Sequence, residues 1–395
     1  MKGERVVAFE RFVDKYIGAV LVIIVVVLHF ILQIILFPIR LLNRNKKQTV
    51  TKILVIKLWA LGDSAVSLPM IKALKTKYPK AKITVLARKR NADVFLACKY
   101  VDEVLLFEDI SKVIGQVRKY NVVIDLEPYL NLSALLAIYL GQDRVGIGGQ
   151  LRSILYKKTV KFTAKKHFAQ VYLDMARALG INYDTDQLIP LEVSRETKEK
   201  AERIFKANGI NKKDKVYGIC AGVAESVKSR EWPSERFAGL ADQLLEKHCD
   251  KIIFVGGPAE KEMIEEILRK MKSKRKNGVI IGAINLAGKT SIKESFYIIQ
   301  KCRIFISNDT GPMHIAAAQG CKTIGLFGPN TPVLWAPYGK NNKSIYKGAA
   351  VCKYSPCIRN IKGYMPNCLI GENKCMKAIQ VKDVLRAVTE LEKTN

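Results

Sequence analysis

From Lys52 onward the chain alternates short β-branched apolar runs with amphipathic stretches of helical period. KILVIKL at 52–58 leads into a helical run to Tyr78, followed by ITVLA, another helical run, EVLLF and YNVVIDLE. Near-continuous apolar strands separated by helices predict a parallel sheet covered on both faces, and right-handed crossovers make such a sheet doubly wound. The charged stretch SRETKEKAERIFKANGINKKDK then interrupts the pattern. A second series follows: VYGICAG, a helix after Pro233, KIIFVGG, a helix to about Lys272, GVIIGAINLAG, RIFISND and TIGLFG. The expected fold class is α/β with two tandem doubly wound domains, 49–194 and 195–395, the second carrying a Cys-rich tail segment at 352–375. Ligand is expected in a cleft at the carboxyl ends of the strands.

Ahead of this pattern, 17–39 is apolar and free of formal charge, and about 23 helical residues rise roughly 34 Å, enough to cross a hydrocarbon core. The expectation is a membrane helix that anchors the chain, within residues 1–48. The run is too long for a signal peptide, and no small-residue cleavage site follows it. Lys2, Arg5, Arg11 and Lys15 precede it while Arg40, Arg44, Lys46, Lys47 and Lys52 follow, so the positive-inside rule gives little orientation. His29, Gln33 and Pro38 keep a re-entrant segment open. In either case 40–52 is expected near anionic headgroups.

Composition changes the picture at two points. Lys and Arg number 66 against 36 Asp and Glu, a formal net charge of +30, so an anionic partner is expected: nucleic acid, a phosphorylated substrate or an acidic lipid surface. Nine cysteines, an odd number in a chain with ample core, argue for a reducing compartment. Cys98, Cys220, Cys249, Cys302 and Cys321 lie in or beside apolar runs, as small buried thiols do. Cys352, Cys357, Cys368 and Cys375 are spaced C-x4-C-x10-C-x6-C. Four thiolates could hold zinc or an iron–sulfur cluster, but the spacing lacks a C-x2-C knuckle, and structural thiols or a redox-labile pair fit it too.

The strongest chemical signal is Ser307-Asn308-Asp309-Thr310-Gly311-Pro312-Met313-His314. A strand ends, polar residues and Gly turn the chain, and Pro312 sits where a first-turn proline belongs. The amides of Thr310 and Gly311 suit a diphosphate oxygen at a helix start, with Asp309 and Thr310 as a plain cap the alternative. His314 faces either cleft or core. Asp63, after the single-Gly turn of the first β/α unit, is placed either to accept a proton from an incoming hydroxyl or to cap its helix. Lys228 and Arg230, before Trp232 and Pro233, could neutralise a leaving diphosphate or form a solvated loop. Glu260 follows a strand where a carboxylate binds ribose hydroxyls or complements a helix dipole. Asp184-Thr185-Asp186 has the Asp-x-Asp form of a metal-dependent sugar-nucleotide site, but no apolar strand precedes it.

Together these pieces resemble glycosyltransferase family 9, the bacterial heptosyltransferase family, over nearly everything from Lys52 onward. The resemblance rests on KILVIKLWALGDSAVSLPMIKALKTKYP and on RIFISNDTGPMHIAAAQGCKTIGLFGPNTPVLWAPYG. It implies two facing Rossmann-like domains, the GT-B fold, with nucleotide held mainly by the second and acceptor by the first. It also implies Asp63 as catalytic base, with Asp309, Thr310, Gly311 and His314 around the donor's diphosphate and sugar, and Glu260 on the ribose. Arg230 stands where the family usually shows Lys, which keeps charge but changes geometry.

The implied reaction is inverting transfer of a heptose or related sugar from an ADP-heptose-type donor to an anionic glycolipid such as a lipopolysaccharide core. No cofactor, metal or nucleic acid enters that reading, and the catalytic domains would face the cytoplasm at the inner membrane. The rivals are a nucleotide-sugar epimerase of the same architecture, which turns over donor alone, and a membrane-tethered nucleic-acid binder. Against the latter stands the lack of aromatic–basic interleaving.

Overall fold

A computed structural model of the chain describes residues 9–10, 12–28, 49–358 and 367–394. Its contacts divide into two compact units, one of Met1–Ala60, Pro69–Ala164 and Ala169–Asp184, the other of Leu61–Leu68, Lys165–Phe168 and Thr185–Asn395.

The first unit is built on a six-stranded sheet of β1 (Lys52–Ile56), β2 (Lys82–Ala87), β3 (Glu103–Leu106), β4 (Tyr120–Asp125), β5 (Gly141–Ile147) and β6 (Lys158–Val160). The strands run parallel in the order β3-β2-β1-β4-β5-β6. Ile53, Leu54, Val55 and Ile56 are all fully buried, so both faces of β1 are covered, which is why this strand reads as an unbroken apolar run. Each such side chain contributes about 1.5–3 kcal/mol. Helix α1 (Leu61–Lys77) follows β1, and its first two turns, Leu61–Leu68, group by contact with the second unit. Helix α2 (Asn131–Leu140) joins β4 to β5.

Residues 12–28 are helical, with a π-turn at Asp14–Gly18. The Asp14 carboxylate accepts the amides of Asn131 (3.0 Å) and Leu132 (2.8 Å), capping α2, whose first amides have no intrahelical partner. Val22, 1% exposed, packs into the cluster that holds Leu54, Ile56 and Ala134. Arg88 pairs with Glu10 at 2.9 Å and holds its carboxyl below the ordinary range. The expected membrane helix meets the structure only in its first half, where one face of the segment is committed to the first unit. Among the described residues no helix is long and apolar enough to cross a membrane. Of the expected span 17–39, residues 29–39 lie outside the described residues. Within the described part, Ile17, Val20, Leu21, Ile23, Ile24, Val27 and Leu28 are exposed.

In the second unit the charged stretch after residue 193 is itself a helix, α3 (Arg195–Ala207), capped by Ser194 and burying Ala201 and Phe205. The sheet contains β7 (Val216–Cys220), β8 (Lys251–Phe254), β11 (Ala283–Asn285), β12 (Ile304–Asn308), β13 (Lys322–Phe327) and β14 (Lys343–Tyr346), parallel in the order β11-β8-β7-β12-β13-β14. A hairpin of β9 (Arg275–Lys276) and β10 (Val279–Ile280) precedes β11. The run GVIIGAINLAG, expected as one strand, is thus two, because Gly282 turns the chain at φ 91°. Helix α4 (Gly311–Ala318) follows β12, and α5 (Val381–Lys393) closes the unit with Val384, Ala387, Val388 and Leu391 buried at i, i+3, i+4 and i+7.

Both units are parallel-sheet α/β, and both sheets have the same topology. In each, the strand order reverses once, between β1 and β4 and between β7 and β12. Loops that leave the carboxyl ends at such a reversal form the ligand crevice of doubly wound folds. The five thiols expected in the core, Cys98, Cys220, Cys249, Cys302 and Cys321, are buried.

Candidate active site

Ser307 of β12 pairs with Cys220 of β7, so the two strands end side by side at the second unit's reversal. Asn308 ties their exits together, donating to the Ala221 carbonyl (2.7 Å) and accepting from the Trp232 amide (3.3 Å). Thr310 is the extended N-cap residue of α4, its hydroxyl 3.1 Å from Ser307 Oγ, and the side chain does not cap the helix. The amides at the start of α4 therefore lack that partner, and the dipole adds partial positive charge there.

Asp309 is 3% exposed. Arg230 Nη1 lies 3.1 Å from its carboxylate and 3.1 Å from its carbonyl oxygen, while Asn330 Nδ2 donates to Oδ2 at 2.7 Å. Two nitrogens beside this cluster, Arg230 Nε and His314 Nδ1, are buried without a hydrogen-bond partner. An unmade bond of that kind costs about 1–3 kcal/mol, which a polar ligand would recover. Sequence reasoning placed Arg230, Asp309, Thr310, Gly311 and His314 in one site, and the structure brings them together. It missed Asn330, which no local pattern marks.

His314 packs edge-on to Trp335 at 5.9 Å, and Trp335 stacks on Phe168 at 4.2 Å. Burial, then the His167 and Arg230 charges, lower its pKa to about 3. The ring is neutral at physiological pH. Because the unfolded chain takes up this proton near pH 6.5 and the folded chain only near 3, the group removes stability as pH falls through that window. His314→Gln is expected to flatten the loss of Tm between pH 6.5 and about 4; an unchanged slope counts against it.

Glu260 lies over the end of β7. A Cβ at Gly222 would stand 2.2 Å from Glu260 Cγ, so only glycine admits the carboxylate there. Its charge is felt at Cys220, whose thiol burial pushes up to about 11, and at Lys228. Gly222→Ala is expected to displace the Glu260 side chain from the end of β7, which a crystal structure of the variant checks. Lys228 is largely exposed and pairs with Glu231 at 2.5 Å.

Asp63 is half-buried in the first turn of α1. Its neighbour Gly62 belongs to the same compact unit as α4. A Cβ there would stand 2.6 Å from His314 Cδ2 and 3.0 Å from Gly311 Cα. The turn that carries Asp63 thus packs directly on the start of α4.

Cys352, Cys357, Cys368 and Cys375 line one small cavity of about 10 Å³ together with Ser229 and Asn373. Burial raises the Cys368 thiol, but the amides of Asn373, Ile370, Glu372 and Gly371 outweigh it and hold the pKa below its ordinary value. Among the described residues no group of three or more His, Cys, Asp or Glu side chains is arranged to hold a metal ion. Asp184 accepts from Gln170 at 2.7 Å, and Asp186 pairs with Lys340.

Comparison with known proteins bears on this arrangement. The sequence model of glycosyltransferase family 9 (heptosyltransferase) matches residues 110–360. Lipooligosaccharide heptosyltransferase 2 of Campylobacter jejuni subsp. jejuni serotype O:2 is 30% identical over 181 residues, 46% of this chain and 52% of that protein, so the chain spans about half the length of that relative. Lipopolysaccharide heptosyltransferase 2 of Escherichia coli K12 is 26% identical over 302 residues, 72% of this chain and 85% of that one. The fold is shared with the crystal structure of a family 9 glycosyl transferase from Veillonella parvula, at a TM-score of 0.71 and 23% identity over 87% of this chain and 98% of that one. With the family match taking in β12, α4 and the whole Asp309 cluster, the chain belongs to glycosyltransferase family 9.

Proposed function

We propose that the protein is an inverting glycosyltransferase that moves a heptose or related sugar from an ADP-heptose-type donor to an anionic glycolipid such as a lipopolysaccharide core. The observation that carries this reading is the pair of partnerless buried nitrogens, Arg230 Nε and His314 Nδ1, beside the start of α4. We read both as partners for donor oxygens, and the names of the relatives point to the same reaction. Asp63 takes the proton of the acceptor hydroxyl as its oxygen bonds to the anomeric carbon. The bond from that carbon to phosphate breaks, and the nucleoside diphosphate leaves with the electron pair. Arg230 and the α4 amides offset the charge that develops on it, while Glu260 and Lys228 bind the nucleotide end. Arg230→Ala is expected to lower kcat/KM for the donor about 100-fold, with Arg230→Lys recovering part of it.

We place the enzyme at the cytoplasmic face of the inner membrane, seated by residues 1–48. Support comes from the apolar run 17–39, the exposed aliphatic face along 17–28, and the basic residues at 40–52. The net charge of +30 then serves donor and acceptor, and nucleic acid has no part.

The test incubates full-length protein with ADP-heptose and glycolipid from a heptose-deficient strain, then follows ADP release and glycolipid mass. ADP release that requires the acceptor, with one heptose added to it, is the expected result. Donor turnover without acceptor, or no turnover with any nucleotide sugar, overturns the proposal.

A further inference from the structure

Strands β1 and β4 run in register to their ends, Ile56 opposite Asp125. The chain therefore leaves both strands side by side where the first sheet's order reverses. Glu127 lies at that point, 1% exposed. One oxygen, Oε1, accepts the amides of Leu58 (2.7 Å) and Trp59 (3.0 Å) and the Lys57 ammonium (3.2 Å). Glu127 is itself held from behind. Its amide donates to Asp125 Oδ1 at 2.9 Å, and its carbonyl accepts from the buried guanidinium of Arg152, which also bonds the Leu130 carbonyl at 2.6 Å.

The loop so clamped has an unusual exit. Ala60, next after Trp59, has φ 62°, a left-handed conformation that a residue with a Cβ keeps only where its surroundings over-determine it. Leu61, Gly62 and Asp63 follow directly as the first turn of α1. Stability alone is a poor account of the clamp, since a buried ion pair stabilises no more than apolar side chains of the same volume. What an apolar pair cannot do is accept the two loop amides.

We propose that Glu127 is a positioning residue for sugar transfer: through the Leu58–Ala60 backbone it sets where Asp63 meets the acceptor hydroxyl. This rests on the assignment of Asp63 as base. Glu127 is not itself the base, because Oε1 is engaged by three donors and the side chain is withdrawn from solvent.

The test compares two full-length double variants, neither of which leaves a buried charge unpaired. Lys57→Met/Glu127→Leu removes the acceptor for the loop amides, and Lys57→Met/Glu127→Gln restores it. The first is expected to lose about 100-fold in kcat with donor KM within about twofold of wild type, and the second to regain most of that loss. On an Asp63→Asn background the Leu pair should cost little more, because the group it aims is gone. Should the Leu pair not fold, Ala60→Gly gives the reading with the charges intact. It frees the kink and is expected to lower kcat several-fold at unchanged donor KM. Wild-type kcat in the folded Leu pair or in Ala60→Gly overturns the proposal, as does an undiminished loss on the Asp63→Asn background. Wild-type kcat in Asp63→Asn alone sinks the base assignment instead, whatever the Glu127 variants do.

Discussion

Replacing Asp63 with Asn is expected to lower kcat by about 10²–10⁴ while leaving affinity for nucleoside diphosphate unchanged. Asp63 is the third residue of α1 and does not cap it, since the N-cap is Ala60 with no side-chain cap bond, and Asn keeps the size of the side chain, so the helix start and the packing of Gly62 on α4 survive. What is lost is the capacity to take a proton. We assign the nucleotide to Arg230, Glu260 and the α4 amides rather than to Asp63. Steady-state kinetics and calorimetric titration with ADP separate the two quantities. A kcat within about threefold of wild type would exclude general-base catalysis by this residue.

The largest expected effect on stability lies in the first unit. Arg152 is buried and bonds Asp125 Oδ2 (3.2 Å), Ser133 Oγ (3.1 Å) and two carbonyl oxygens. Burial pushes the Asp125 carboxyl above its ordinary pKa; Arg152, Tyr156 and Ser133 oppose that push without cancelling it. Arg152→Leu removes the main opposition and should destabilise the protein by about 3–5 kcal/mol at neutral pH. That corresponds to a fall of roughly 10 °C in Tm. The sign of the pH dependence follows. A carboxyl whose folded pKa is raised favours folding in its protonated form and loses that contribution as pH rises through the folded value. The variant's deficit should therefore shrink as the pH is lowered, and Arg152→Leu/Asp125→Asn should recover part of it at pH 7. A deficit that grows in acid would contradict this account.

Much of the architecture was legible because buried parallel strands leave a local mark. KILVIKL and RIFISND read as strands since both their faces are covered. β5 (GQDRVGI) was not seen, because Gln142 and Asp143 are exposed and interrupt the apolar run. β6 and β14 are short strands at the sheet edges, with charged residues at their starts. The donor-side cluster was partly legible through the Gly-Pro helix start and the resemblance that motif carries. Asn330, Glu127 and Arg152 were not, since their roles depend on partners 21, 69 and 27 residues away that no spacing rule connects. The N-terminal segment was legible only in part, for a related reason. Its apolar face is continuous in sequence, and only the cap that Asp14 supplies to α2 reveals that part of it packs on protein.

That cap bears on how the protein is handled. A fragment starting at Lys52, the natural choice for a soluble preparation, would strip the lid from α2 and lay bare Leu54's neighbours around the vacated Val22. Such a fragment would be a damaged first unit, and poor turnover from it would report the excision before it reported anything about sugars.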